Sequence, residues 1–331
     1  MNKLSVLIIG CGNIAGGYDE TINARDSINS HAKAYSTNKN FSLEACVDID
    51  EDLSLRFAKR WGFRNSYSNL KEAFLNGAHY DVVSICTPTL QHERDLQFLL
   101  KKFPRVVFCE KPLVADLKNA RRLVKQYDQS KTLLAVNHNR RWDQSIQIFR
   151  ERLISGQLGV IRSIVGYYNK GIMNNGTHMI DLLFFLLGSL DLISVGGCKN
   201  DYSQDDPTVS AFLMGPDDIP IHITTGFFSD FALFEIQFIT SMGVFTLESN
   251  GVWRERFPEK SQSFPGYNIL SNGVWRNREE TSAFSLAVQN ICNAVKFGEP
   301  ILSTGYTALK SLVLCDRIRS EAFKMRKVNY G

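Results

Sequence analysis

Along the first 135 or so positions, apolar residues gather in short unbroken runs at 4–9, 43–47, 82–86, 106–109 and 133–136. A run without alternation is the pattern of a strand covered on both faces, as in a parallel sheet. Between the runs lie stretches with helical spacing, at 31–37, 52–61, 70–76, 92–101 and 117–127. Strands alternating with helices predict a doubly wound α/β sheet.

The pattern changes near residue 140. A helix is predicted over 144–155, ending at Gly156, then a strand over 160–168 and a helix over 176–187 closed by Gly188. Strand-like runs follow at 193–198, 209–214, 221–228 and 233–248, the last folding back at 241–243. Asp, Pro and Gly turns join them, which predicts a largely antiparallel sheet. Helices over 282–297 and 307–324 complete an α+β half. The expected division is a first domain over 1–137 and a second over 138–331, with the closing helices free to pack back on the first.

Composition narrows the function classes. Lys plus Arg total 38 against 34 Asp plus Glu, a formal charge of +4, too mild to indicate nucleic acid. No apolar stretch approaches the roughly 18 residues of a membrane span. The opening run at 4–9 stops at glycines with no cleavage site behind it, so it is expected to be a strand and the protein cytoplasmic. Seven scattered cysteines form no CxxC pair and are expected as reduced core thiols. The six histidines offer no metal-ligand spacing.

The first strand runs into Gly10-Cys11-Gly12-Asn13-Ile14-Ala15, a G-x-G-x-x-A sequence. The first glycine permits a tight turn, the second a close approach to a pyrophosphate, and the small last residue tight helix packing. The helix expected to start there would offer its free N–H groups to the phosphates. Asp48 ends the second strand, where an acid receives adenosine ribose hydroxyls and repels a 2′-phosphate, favouring NAD and leaving NADP open. Asp48 stands 33 positions beyond Ala15, against about 20 ordinarily. The polar excess at 16–30 is expected as an insertion at the cofactor's edge. Thr87, Pro88 and His92 follow the strand at 82–86 and are expected at the same crevice.

Glu110-Lys111-Pro112 ends the strand at 106–109. A lysine there is placed to hold a substrate hydroxyl and to stabilise the alkoxide that develops as hydride leaves carbon. In the second half, His178 falls in the first turn of the helix opening at Gly176, a place for a neutral imidazole acting as general base. The competing reading is a structural histidine.

GCGNIA, TPTLQH, CEKPL, NRRW and NGTHMID occur in the order found in the Gfo/Idh/MocA family of NAD(P)-dependent oxidoreductases, which the chain resembles over nearly its whole length. The resemblance implies a Rossmann domain followed by an α+β domain with a large open sheet that carries a homodimer or homotetramer interface. It places the family lysine at Lys111 and the family histidine at His178. Where the family often has Asp, four residues before the histidine, this chain has Asn174, which cannot take a proton. Gly10, Gly12, Asn13, Ile14, Asp48, Thr87, Pro88, His92, Glu110 and Lys111 are the expected cofactor contacts. Asn139, Arg141, Tyr168, Lys170, Asn174 and His178 are the expected substrate contacts. The implied activity is hydride transfer to or from a secondary hydroxyl of a sugar, with a nucleotide sugar of surface-polysaccharide synthesis as the specific expectation. A free sugar or inositol-like polyol, and a non-catalytic NAD-binding sensor, are the alternatives.

Overall fold

The computed structural model describes residues 2–20, 28–249, 251–276 and 281–329. The chain divides into two compact units, Met1–Gln144 with Thr281–Leu309, and Ser145–Glu280 with Lys310–Gly331.

In the first unit, six parallel strands lie in the order β3-β2-β1-β4-β5-β6: β1 (Leu4–Ile9), β2 (Phe41–Val47), β3 (Asn65–Tyr67), β4 (Val82–Ile85), β5 (Val106–Cys109) and β6 (Leu133–Val136). Order reverses between β1 and β4, the switch point at which such sheets bind ligands. The helices are α1 (His31–Thr37), α2 (Glu51–Trp61), α3 (Leu70–Ala73), α4 (Thr89–Leu100) and α5 (Leu117–Asp128). Buried Val6, Ile8, Val82, Val106 and Phe108 make the sheet's core, as their unbroken apolar runs require. The short strand β3 escapes the sequence pattern because Asn65-Ser66-Tyr67 holds no apolar run; backbone pairing to Ala45–Val47 alone makes it a strand.

The segment Thr281–Leu309 groups with this unit, as the expectation that the closing helices could pack back on the first domain allowed. The reason is packing. Helix α8 (Ala283–Phe297; α6 and α7 are described below) buries Phe284, Val288, Ile291 and Val295 in the first core. Trp142 donates from Nε1 to Asn290 Oδ1 at 3.0 Å. Past α8, Thr304 bridges Ala135 of β6 in antiparallel sense, and the Ser303 hydroxyl donates to the Val136 carbonyl.

The helix expected directly after the glycine fingerprint is not there. One irregular turn replaces it, closed by Gly16 N to Gly12 O (3.1 Å) and Tyr18 N to Asn13 O (3.0 Å). Helix α1 begins only at His31, whose amide returns to Ile14 O. Of the insertion at 16–30, residues 21–27 lie outside the described residues. Its flanks are tied together by buried Asp19, which accepts from Asn29 N and from the Ser30 hydroxyl.

The second unit is built on an eight-stranded sheet of order β16-β13-β12-β11-β7-β10-β9-β8. Its strands are β7 (Ile161–Tyr168), β8 (Asp191–Lys199), β9 (Thr208–Met214), β10 (Pro220–Thr225), β11 (Phe234–Thr240), β12 (Gly243–Leu247), β13 (Trp253–Arg256) and β16 (Val274–Arg276). The hairpin of β14 (Pro258–Lys260) and β15 (Asn268–Leu270) stands apart. Pairing is antiparallel except between β7 and β10. Helices α6 (Gln144–Ile154), α7 (Gly176–Leu187) and α9 (Gly305–Asn329) accompany it. Ile146, Phe149, Met179, Leu183, Cys315 and Ile318 bury against Ile164, Ile221, Ile236 and Phe238 of the sheet. Gly166 lets α7 lie close on β7: a Cβ there would stand 3.1 Å from Met179 Sδ.

Among the described residues, no helix is long and apolar enough to cross a membrane. No group of three or more His, Cys, Asp or Glu side chains among them is arranged to hold a metal ion.

Candidate active site

A groove of about 1020 Å³ opens at the β1/β4 switch point, at the upper end of the usual range for ligand sites. Seven of the expected cofactor contacts line it: Gly10, Gly12, Asn13, Ile14, Asp48, Thr87 and Pro88. Backbone bonds seal its floor, Gly10 N to Val47 O and Cys86 N to Ile9 O, each 2.7 Å. Gly10 has φ +86°, and a Cβ there would lie 2.8 Å from the Cys86 carbonyl carbon. A Cβ on Gly12 meets nothing within 4 Å, so that backbone faces open space a phosphate can approach.

Asp48 closes one end. Its Oδ2 accepts from Cys11 N at 2.8 Å and its Oδ1 from Asp50 N at 3.0 Å. The carboxylate is thereby fixed beside the glycine turn, with lone pairs left for ribose hydroxyls. Tyr18, Ser68, Lys71 and Arg94 also line the groove. Sequence reasoning passed over them; for Ser68 the missing signal was β3, since the carboxyl-end rule locates its loop once that strand is known.

His92 is not a groove residue, which corrects the expectation. It is buried; Nε2 meets Thr87 O at 2.8 Å and Nδ1 meets Pro112 O at 3.0 Å. The ring braces the loop after β4 against the loop after β5.

Glu110 is turned inward. Its Oε1 lies 2.8 Å from His31 Nε2 and 2.6 Å from Asn137 Nδ2. Behind His31, Nδ1 meets Ser84 Oγ at 3.2 Å, and Ser84 meets Tyr35 OH at 2.9 Å. Burial by itself would raise the Glu110 pKa. The hydrogen bond and charge of His31, then Asn137 and the Lys111 charge, outweigh it and hold the carboxyl below its ordinary value. Lys111, the next residue, is partly exposed and joined to Pro112 by a cis peptide.

Asn139 and Arg141 follow β6 in a short turn. Asn139 Oδ1 is buried with no hydrogen-bond partner, an orphan acceptor that a bound molecule's donor would satisfy. Arg141 is buried and donates to Leu302 O at 3.3 Å.

In the second unit, β7 passes into α7 through one turn of π-helix, Gly171–Asn175, a local form frequent at functional sites. Asn174 sits in that turn. His178 is the third residue of α7 and is partly exposed. Asp181, one turn on, is buried and accepts from the Ser311 hydroxyl at 3.1 Å, which fixes α7 to α9.

Tyr168 is a core residue, contrary to expectation. It is fully buried; its hydroxyl donates to Val209 O (2.7 Å) and accepts from Val209 N (3.0 Å). Burial pushes its pKa well up. Lys170 carries its ammonium over the rings of Phe228 (4.6 Å) and Tyr202 (5.6 Å), a cation–π seat rather than an open contact.

Residues 4–138 match the family model GFO_IDH_MocA, described as an oxidoreductase family with an NAD-binding Rossmann fold. Over this segment the chain is similar to the Gfo/Idh/MocA family. The strand order of the first sheet and the glycine-lined groove could hold a dinucleotide, with Gly10 and Gly12 near its phosphates, Asp48 near a ribose and Thr87 and Pro88 on the wall.

The chain is 31% identical over 172 residues to inositol 2-dehydrogenase of Rhizobium meliloti (strain 1021), covering 48% of this chain and 51% of that one. It is 26% identical over 205 residues to glucose-6-phosphate 3-dehydrogenase of Bacillus subtilis (strain 168), covering 55% and 53%. The chain thus spans about half the length of these relatives. Among solved structures, the WlbA dehydrogenase from Bordetella pertussis, in complex with NADH and UDP-GlcNAcA, superposes with a TM-score of 0.76 at 18% identity, covering 97% of both chains. A 3-ketoreductase from Actinomadura kijaniata in complex with NADP gives 0.76 at 18%, covering 97% and 98%. At that identity the likeness is one of fold.

Proposed function

We propose that the protein is an NAD-dependent oxidoreductase acting on a secondary hydroxyl or ketone of a sugar or polyol. The observation that carries this reading is the glycine-lined groove at the switch point, closed by Asp48, in a unit that presents Lys111 directly beyond β5. The related inositol and glucose-6-phosphate dehydrogenases act, by name, on alcohol groups of this kind.

Bound NAD would supply the two-electron acceptor. The Lys111 ammonium holds the substrate oxygen and stabilises its negative charge as the C–H bond breaks. His178 takes the hydroxyl proton, because Asn174 has no group able to accept one. Within this class the finer reading is a nucleotide sugar, supported by the UDP sugar held by a protein of the same fold. A polyol is the second reading, supported by the inositol dehydrogenase relative. The reading also expects a homo-oligomer formed through the eight-stranded sheet.

The test is NADH absorbance with purified protein, NAD and a panel of myo-inositol, glucose 6-phosphate and UDP-N-acetylglucosamine. Lys111→Ala should lower kcat by about 10²-fold or more while NAD affinity is retained. Unchanged turnover in that variant would remove Lys111 from the chemistry. Tight NAD binding with no turnover across the panel would favour a non-catalytic sensor.

A further inference from the structure

Five successive backbone N–H groups, from Lys170 to Asn174, are all received by one short segment of the second unit. Lys170 N donates to Asp201 Oδ2 at 2.9 Å and Gly171 N to Thr208 Oγ1 at 2.8 Å. Ile172 N donates to Pro207 O at 3.0 Å. Met173 N and Asn174 N divide the two oxygens of Asp206, at 2.7 and 3.0 Å. The Thr208 hydroxyl in turn donates to Asp201 Oδ1 at 2.6 Å.

These are the amides a helix start leaves without intrahelical partners. Here four are received by side chains and one by a backbone carbonyl, all more than 30 positions away in sequence, not by a local cap. The backbone is shaped to reach them: Lys170 and Gly171 take left-handed φ values of +68° and +80°. A Cβ on Gly171 would overlap Asp206 Oδ2. The turn so held carries Asn174 and opens the helix whose third residue is His178.

We infer that Asp206, with Asp201 and Thr208, is a positioning device for Asn174 and His178. This rests on the proposed role of His178. Asp206 touches the backbone that presents these side chains and takes no proton itself.

Asp206→Asn is the informative change, because it is isosteric yet leaves one of the two amides facing an NH₂ group. The expected result is a fall in kcat of about tenfold to a hundredfold, measured well below Tm, with NADH affinity kept and the His178 imidazole NMR resonance displaced. Thr208→Val should act in the same direction. Leu213→Ala, in the sheet core, should lower Tm without displacing the His178 resonance, which separates positioning from general loosening. If Asp206→Asn keeps kcat and the His178 resonance while His178→Ala abolishes turnover, the inference is overturned and the proposed function stands. If His178→Ala is fully active, the proposed function falls and this inference with it.

Discussion

His31 Nε2 lies 2.8 Å from Glu110 Oε1, with the histidine wholly buried inside the first unit. The pair joins the start of α1 to the end of β5, the position immediately before Lys111.

Glu110→Gln should destabilise the protein by about 3 kcal/mol at neutral pH, because it leaves a buried partner without its carboxylate. The folded-state pKa of Glu110 lies below its ordinary 4.5. Its stabilisation is therefore complete above 4.5 and is lost as pH falls through the lower folded value. Denaturant unfolding as a function of pH should show a steeper acid limb in the wild type than in Glu110→Gln. Equal limbs would mean that the pair does not couple to folding.

Asp48→Ala should weaken NAD binding by about tenfold, ~1.4 kcal/mol, and narrow the difference between NAD and NADP. The change removes both the proposed ribose acceptor and the carboxylate that holds Cys11 N. Fluorescence titration with both cofactors measures it. A wild-type protein that already binds the two equally would refute the assigned role.

Tyr168→Phe should cost about 1–3 kcal/mol in stability, since Val209 N and O both lose their partner. NAD affinity and KM should not move. A loss of kcat at unchanged Tm would return Tyr168 to the substrate site.

In the native protein only Cys198 should react quickly with a thiol reagent, because the other six cysteines are buried. Burial also raises the pKa of Cys86, Cys109 and Cys315 well above the ordinary thiol value. Seven equivalents should appear after unfolding. Fast modification of a second thiol in the folded state would mark a locally open strand.

The parallel sheet was legible because its central strands are unbroken apolar runs, and the groove because glycines and an acid must stand where backbone approaches phosphate and ribose. Helix α7 was legible to the residue, since apolar spacing and Gly188 define it. Residues whose roles depend on the direction of a side chain were not. His92, Glu110, Arg141 and Tyr168 have the chemistry of site residues, and only the packing of distant segments turned them inward. The same holds for the Asp206 bonds to Met173 and Asn174. Local pattern determines which elements form, because helix and strand periodicities are short-range. Partners separated by more than 30 positions are decided by the fold, because nothing in either segment alone specifies which buried donor will meet which acceptor.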